Sequence, residues 1–162
     1  MESKTVRDVI DGLASEDRAA LEQALSTVRD LMTTELVTLR PNQTVGDAIN
    51  LFAARQFRHL LVTDAGALLG VVSDRDVLRW LARNPGAVDT SVSTIMTRRA
   101  ISLPPESPLS EAIRTIIHHR INCLPVVTKE GALQGVLTTT DLLRALFAMQ
   151  YWLERRASGV TK

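Results

Sequence analysis

Apolar positions along the chain change their period in a fixed order, and the order occurs twice. Leu36 to Leu39 is a short extended run closed by Arg40-Pro41. Thr44 with Asp47 then gives a helix N-cap signal with an acidic first turn. Val45, Ala48, Ile49 and Phe52 follow at helical spacing. Two apolar runs come next, Leu60 to Thr63 and Leu68 to Ser73, and the intervening Asp64-Ala65-Gly66 predicts a hairpin. A second helix carries Val77, Leu78 and Leu81 on one face and stops before Asn84-Pro85-Gly86. Further on, Ser107-Pro108 reads as an N-cap with proline at the first helical position. Leu109, Ala112, Ile113 and Ile116 make the next stripe, two strands turn around Lys129-Glu130-Gly131, and a last helix runs from about Asp141.

The two passes share residues as well as periods. Leu31-Met32-Thr33 recurs 64 positions later as Ile95-Met96-Thr97, Ala48-Ile49 as Ala112-Ile113, and Leu60 as Leu124. After one inserted residue near Glu130, Gly70-Val71-Val72-Ser73 matches Gly135-Val136-Leu137-Thr138, and Asp76 matches Asp141. This order defines two copies of a strand–helix–strand–strand–helix unit, residues 29–83 and 93–148, joined by a connector at 84–92. The fold class is α/β (α+β). One such unit leaves a sheet face bare, and packing the copies sheet against sheet as a pseudo-two-fold pair would cover it. Residues 1–28 form an N-terminal segment with a helical pattern from 5 to 28, and 149–162 form the end of the last helix and a tail.

Composition narrows the class. Of 162 residues, 45% are apolar and 23% charged, enough for a packed core. A formal net charge of +1 favours neither nucleic acid nor a membrane surface, and 4% aromatic residues leave little to stack bases. Cys123 is the single cysteine, which excludes a disulfide framework and a Cys-based zinc site. Met1-Glu2-Ser3-Lys4 does not read as a signal peptide, and the apolar stretch Leu142 to Leu153, interrupted by Arg144 and Gln150, is too short to span a bilayer. A soluble, cytoplasmic protein is expected.

The chemistry gathers at a strand-to-helix junction present twice, Ser73-Asp74-Arg75-Asp76 and Thr138-Thr139-Thr140-Asp141. A hydroxyl at the strand end caps the next helix, whose free N–H groups favour an anion. An aspartate three residues on can accept hydrogen bonds from the vicinal hydroxyls of a ribose. The same spacing is also a helix capping box. Its duplication at equivalent positions favours a site.

With these motifs in order, the chain resembles the CBS domains, first named from cystathionine β-synthase, in the tandem called a Bateman module. The resemblance covers about residues 29 to 148. Its marks are the Leu-Met-Thr and Ile-Met-Thr openings, Leu60-Leu61-Val62 and Leu124-Pro125-Val126, and the two Gly-to-Asp closings. It implies a non-catalytic regulatory module that binds AMP, ADP, ATP, NAD or S-adenosylmethionine in clefts between the repeats and pairs as a disc-shaped homodimer signalling to an effector. By position it implies that Asp76 and Asp141 hold ribose hydroxyls, with Ser73 and Thr138 near ribose or phosphate. It places the adenine edge against Thr34 to Leu36 and Arg98 to Ala100. It lines the base and phosphate path with Arg58, His59 and Leu60 and with Asn122, Cys123, Leu124 and Pro125. No cofactor beyond the regulatory nucleotide is implied. Two positions depart from the family: Leu61 stands where a proline is usual, as Pro125 does in the second copy, and Asp74 adds a negative charge at the first junction.

Other readings weigh less. His118 and His119 point in different directions on a helix and lack a third ligand at helical spacing, so they read as a helix end rather than a metal site. Cys123 with His119 lacks an orienting third group for nucleophilic catalysis. Arg98-Arg99 and His118-His119-Arg120 read as solvated basic groups near the expected cleft. Arg58-His59 can carry one or two positive charges where the second copy has the neutral Asn122-Cys123. The stripe Leu142, Leu143, Leu146, Phe147 and Tyr151 reads as core or dimer surface. The alternative function is a ligand-free dimeric adaptor whose aspartates serve only as caps.

Overall fold

A computed structural model describes residues 26–55 and 57–157. The helical pattern expected over residues 5–25 lies outside them. In chain order the elements are β1 (Thr38–Leu39), α1 (Val45–Arg55), β2 (His59–Asp64), β3 (Ala67–Ser73), α2 (Asp74–Arg83), β4 (Thr97–Arg98), α3 (Leu109–His119), β5 (Cys123–Val127), β6 (Leu133–Thr138) and α4 (Thr139–Ala157). Single 3-10 turns, Val28–Asp30 and Val92–Thr94, open the two repeats. This is a mixed α+β chain in two similar halves. Among the described residues no helix is long and apolar enough to cross a membrane.

The first sheet runs β1-β2-β3-β4, with β1 parallel to β2 and the other pairs antiparallel. The periodicity predicts three strands per unit; the fourth comes from the other repeat. In the second half β5 and β6 pair antiparallel, and single bridges Leu103–Val126 (parallel) and Thr33–Val136 (antiparallel) stand where β1 and β4 stand in the first. Each repeat therefore begins by lying along the sheet of its partner.

The same exchange organises the cores. Val92 and Met96 pack with Leu39, Leu60, Val62, Val72 and Val77 of the first repeat. Val28, with Leu31 and Met32 beside it, packs with Leu109, Leu124, Val126 and Leu137 of the second. Backbone hydrogen bonds repeat the arrangement at one offset: Val28 N–H donates to the Ser107 carbonyl at 2.9 Å, and Val92 N–H to the Gln43 carbonyl at 2.8 Å. Val28 and Val92 are fully buried, and a valine so placed contributes about 1.5–3 kcal/mol. Neither half would keep its core if its neighbour's opening segment left.

Two glycines make room for this crossing. A β-carbon on Gly70 would sit 2.6 Å from the Thr97 carbonyl oxygen, and one on Gly135 would sit 2.8 Å from Met32 Sδ and 3.0 Å from the Thr33 oxygen. The repeated Met-Thr and the repeated Gly-Val are thus one contact seen from both sides.

Strand alternation divides the apolar residues between two layers. Leu60, Val62 and Val72 face the helices, whereas Leu61 and Val71 meet Cys123, Leu133 and Val136 between the sheets. The hairpin tips also touch, through an Ala67–Ala132 bridge and a 3.1 Å bond from Leu133 N–H to the Gly66 carbonyl. Details differ from the periodicity at four places. Pro108, not Ser107, is the N-cap of α3, because Pro108 is held in a bridge with Thr27 and its carbonyl accepts the first helical hydrogen bonds. Leu78 points outward, 68% exposed, while Val77 alone on that turn is buried. β1 is two residues long, Thr38–Leu39; before it Leu36 packs between the sheets and Val37 against the first core. The last helix begins at Thr139, because Thr138 caps it.

Candidate ligand-binding cleft

Both strand-to-helix junctions fold as reciprocal caps. Ser73 N–H and its hydroxyl donate to Asp76 Oδ2 at 2.9 and 2.6 Å, and Ser73 Oγ accepts from Asp76 N–H at 3.2 Å. Thr138 N–H and its hydroxyl donate to Asp141 Oδ2 at 2.8 and 2.6 Å, and Thr138 Oγ1 accepts from Asp141 N–H at 3.4 Å. Each carboxylate thus spends one oxygen on its cap and keeps the other. At Asp141 the second oxygen lies 3.9 Å from the Arg144 guanidinium.

A cleft of about 850 Å³ opens between the halves, within the range of small-molecule sites. One wall is the crossing segment, with Thr33, Glu35, Leu36 and Val37. The first repeat adds Arg55, Phe57, Arg58, His59, Leu61, Ser73, Asp74, Arg75 and Leu78; the second adds Asn122, Cys123, Val136, the Thr138–Asp141 turn and Arg144. Leu36, Arg58, His59, Ser73, Asn122, Cys123, Thr138 and Asp141, all read as site residues from the sequence, come together here.

The other seven lie elsewhere. Leu60 and Leu124 are fully buried and turned to the helices by strand alternation, and Pro125 is buried in β5. Thr34 is skipped between Thr33 and Glu35. Asp76 forms its cap but does not border the cleft. Arg98 donates from Nη2 to the Ser93 carbonyl at 3.0 Å, and Ala100 lines a separate hollow of about 230 Å³ with Leu68, Leu69, Arg99, Ser102, Val127 and Gly131. The second opening segment therefore does not wall the large cleft as the first does. Arg55, Phe57, Arg75 and Arg144 went unread in the sequence. Arg144 carried a signal, an arginine one helical turn beyond a motif aspartate; Arg55 and Phe57 border the cleft only because the chain rises from α1 into β2.

Charge within the cleft follows from these neighbours. Asp74 N–H donates to the Arg58 carbonyl at 3.1 Å, and Asp74 Oδ2 stands 3.7 Å from Arg58 Nε. The corresponding positions in the second repeat, Thr139 and Asn122, join by neutral hydrogen bonds: Thr139 N–H to the Asn122 carbonyl at 3.3 Å and Thr139 Oγ1 to Asn122 Oδ1 at 3.2 Å. Burial pushes His59 below its ordinary value of 6.5, against the pull of Asp74 and Asp76, so near neutral pH Arg58-His59 brings one positive charge and not two. Burial, helped by Asp141, pushes the Cys123 thiol up to about 12, which removes the thiolate that nucleophilic chemistry needs. No group of three or more possible metal ligands occurs among the described residues.

A tandem of matching halves with opening segments exchanged, and with a capped aspartate motif facing an inter-repeat cleft, sets what the chain should be compared with. The family model for the CBS domain matches residues 28–83 and 92–148. The chain belongs to the CBS domain family. A CBS domain-containing protein of Bacillus subtilis, YhcV, is 34% identical over 119 residues, covering 73% of this chain and 84% of that protein. An L-aspartate semialdehyde sulfurtransferase of Methanosarcina acetivorans is 31% identical over 130 residues, and there the match takes in only 25% of the relative's length. Among solved structures, an acetoin utilization protein (AcuB) from Vibrio cholerae superposes with a TM-score of 0.72 at 32% identity, covering 83% of this chain and 98% of that one. The structure of CBSX2 in complex with AMP superposes with a TM-score of 0.68 at 30% identity, covering 76% and 98%. CBS-pair neighbours therefore include a nucleotide binder, and the fold of this chain is that of a CBS tandem.

Proposed function

We propose that this chain is a non-catalytic regulatory module that binds one adenine-containing nucleotide in the large cleft and reports its occupancy to a partner. The observation that carries this reading is the convergence of Asp141, Ser73, Thr138 and four arginines on a single cleft bounded by both repeats. In this reading the second Asp141 oxygen exchanges Arg144 for the ribose hydroxyls, Leu36 and the backbone beside it meet the base, and Arg58 meets phosphate. AMP bound to CBSX2, similar over three quarters of this chain, supports the ligand class.

A ligand in this position touches the first repeat, the second repeat and the strand that crosses between them. Its binding energy is then available to set the angle of one half against the other. A partner that prefers one setting is biased by the ligand to the extent that its affinity differs between them. The partner surface includes a second copy of the chain: Leu143, Leu146 and Phe147 stand 50–72% exposed at helical spacing on α4, the helix that leaves the Asp141 junction.

The specific rival is a ligand-free dimeric adaptor, favoured by the fact that each motif aspartate already commits one oxygen to a cap and Asp76 does not border the large cleft. Calorimetry and thermal shift with AMP, ADP, ATP, NAD and S-adenosylmethionine separate the two. A specific adenine ligand at 100 times its Kd raises stability by about 2.7 kcal/mol and is recovered chemically unchanged. Absence of heat and of shift with every compound establishes the adaptor instead. Sedimentation at micromolar concentration, with and without ligand, should give a homodimer, and a monomer in both conditions removes the α4 stripe as a self-association surface.

A further inference from the structure

We propose that the Arg58–Asp74 pair sets how many phosphates the cleft accepts, so that this chain takes a nucleoside monophosphate in preference to a triphosphate. The inference rests on the nucleotide reading above and adds a charge limit to it. The cleft holds Arg55, Arg58, Arg75 and Arg144 against Glu35, Asp74 and Asp141, with His59 neutral. Two of those cations are already matched, Arg58 to Asp74 at 3.7 Å and Arg144 to Asp141 at 3.9 Å.

The fold does not require this pair. At the same positions of the second repeat, Asn122 and Thr139 keep the backbone hydrogen bond and close the turn without charge. Nor is Arg58 packed: its side chain is 82% exposed and Asp74's is 45% exposed, so both are free to answer a ligand. A monophosphate drawn to the Arg58 fork displaces one carboxylate and replaces it with another anion, which is close to an even exchange. Of the two arginines that these pairs leave over, Arg55 and Arg75, the second directly follows Asp74 and its N–H donates to Asp74 Oδ1 at 2.7 Å, so a further phosphate that reaches Arg75 also meets the Asp74 charge. Two added charges at a separation of about 6 Å from a carboxylate, in water-like surroundings, weaken binding by about tenfold.

The test is calorimetric titration of the full chain with adenosine, AMP, ADP and ATP, in wild type, Asp74→Asn and Arg58→Gln. Asparagine keeps the oxygen that accepts from Arg75 N–H, and thermal melting confirms that both variants fold. Wild type should bind AMP about tenfold more tightly than ATP; Asp74→Asn should close that gap by strengthening ATP and leave adenosine where it was; Arg58→Gln should weaken AMP and spare adenosine. An ATP-to-AMP ratio unchanged by Asp74→Asn, or a wild type that prefers ATP, overturns the charge limit while the nucleotide reading stands. Absence of binding by all four compounds, in a folded chain, overturns both.

Discussion

At the first strand-to-helix junction Asp74 faces Arg58 across 3.7 Å, whereas at the second the same two positions hold Thr139 and Asn122, joined by a neutral hydrogen bond of 3.2 Å. Behind these lips the capping boxes agree to within 0.2 Å in every bond. Asp141 nevertheless borders the large cleft, its side chain 13% exposed, and Asp76 does not. The duplicated part is what the backbone needs: a strand end, a cap and a glycine under the crossing segment. The unduplicated part is what the backbone leaves free, and the ligand specificity proposed above rests there.

The largest effects should come from the shared part, and even there the halves differ. At Gly70 an added β-carbon meets a backbone carbonyl at 2.6 Å, which cannot move without shifting β4; at Gly135 the nearest atom is the flexible end of Met32 at 2.8 Å. Overpacking of this kind costs about 1–3 kcal/mol or more, partly offset by the lower chain entropy of alanine. Urea unfolding of Gly70→Ala should show a loss of about 3 kcal/mol, and of Gly135→Ala about 1–2 kcal/mol. Equal losses would mean that the Thr33 carbonyl, 3.0 Å from a β-carbon on Gly135, yields as little as that of Thr97, and no loss in either variant would mean that the crossing contact is not the reason for the glycines.

The next contrast lies at the motif aspartates. Asp76→Ala and Asp141→Ala each remove a capping partner, so each should cost about 1 kcal/mol of stability. Only Asp141→Ala should cost affinity for an adenine nucleotide. Its proposed ribose contact is a charge-assisted hydrogen bond, worth about 1.5–3 kcal/mol, or roughly tenfold to a hundredfold in Kd. Equal weakening by both variants would restore a second site built on Asp76, and unchanged affinity in Asp141→Ala would remove the ribose role.

How much of this was legible in the sequence depends on whether a residue's partner is local. Ser73 with Asp76, Thr138 with Asp141 and Thr44 with Asp47 lie three residues apart, and all three caps fold as their spacing implies. The hairpins and sheet-on-sheet packing also follow from period two and from loops of fixed length. The exchange of opening segments does not, because Met96 and Gly70 are separated by a whole helix and nothing in their spacing says they meet. Strand phase was the other blind spot: Leu60 and Leu124 sit beside lining residues in the chain, yet the pleat turns them to the opposite face. Arg58 and Asp74 are 16 positions apart in the sequence, and only the pairing of β2 with β3 brings them to one rim.

The smallest expected effect separates His59 from Cys123, which occupy equivalent places at the start of β2 and β5 and pair with Ser73 and Thr138. Near neutral pH both are uncharged, His59 because burial lowers its pKa and Cys123 because burial raises its own to about 12. The two respond to opposite ends of the pH scale. An unfolded chain takes up a proton at His59 near pH 6.5, while the folded chain resists it until a lower pH. The unfolded state then binds more protons, and stability falls as pH drops through and below 6.5. Cys123 is silent in that window and contributes only above pH 9, where the unfolded thiol ionises first and stability falls as pH rises. Thermal melts of wild type and His59→Gln between pH 5 and pH 8 isolate the first effect, since every other titrating group is common to both chains. Wild type should lose stability towards pH 5 more steeply than His59→Gln, and the two should run parallel above pH 7. Parallel curves throughout would mean that Asp74 and Asp76 hold a protonated His59 as well as the cleft holds a neutral one, and Arg58-His59 would then present two positive charges to a ligand in mild acid.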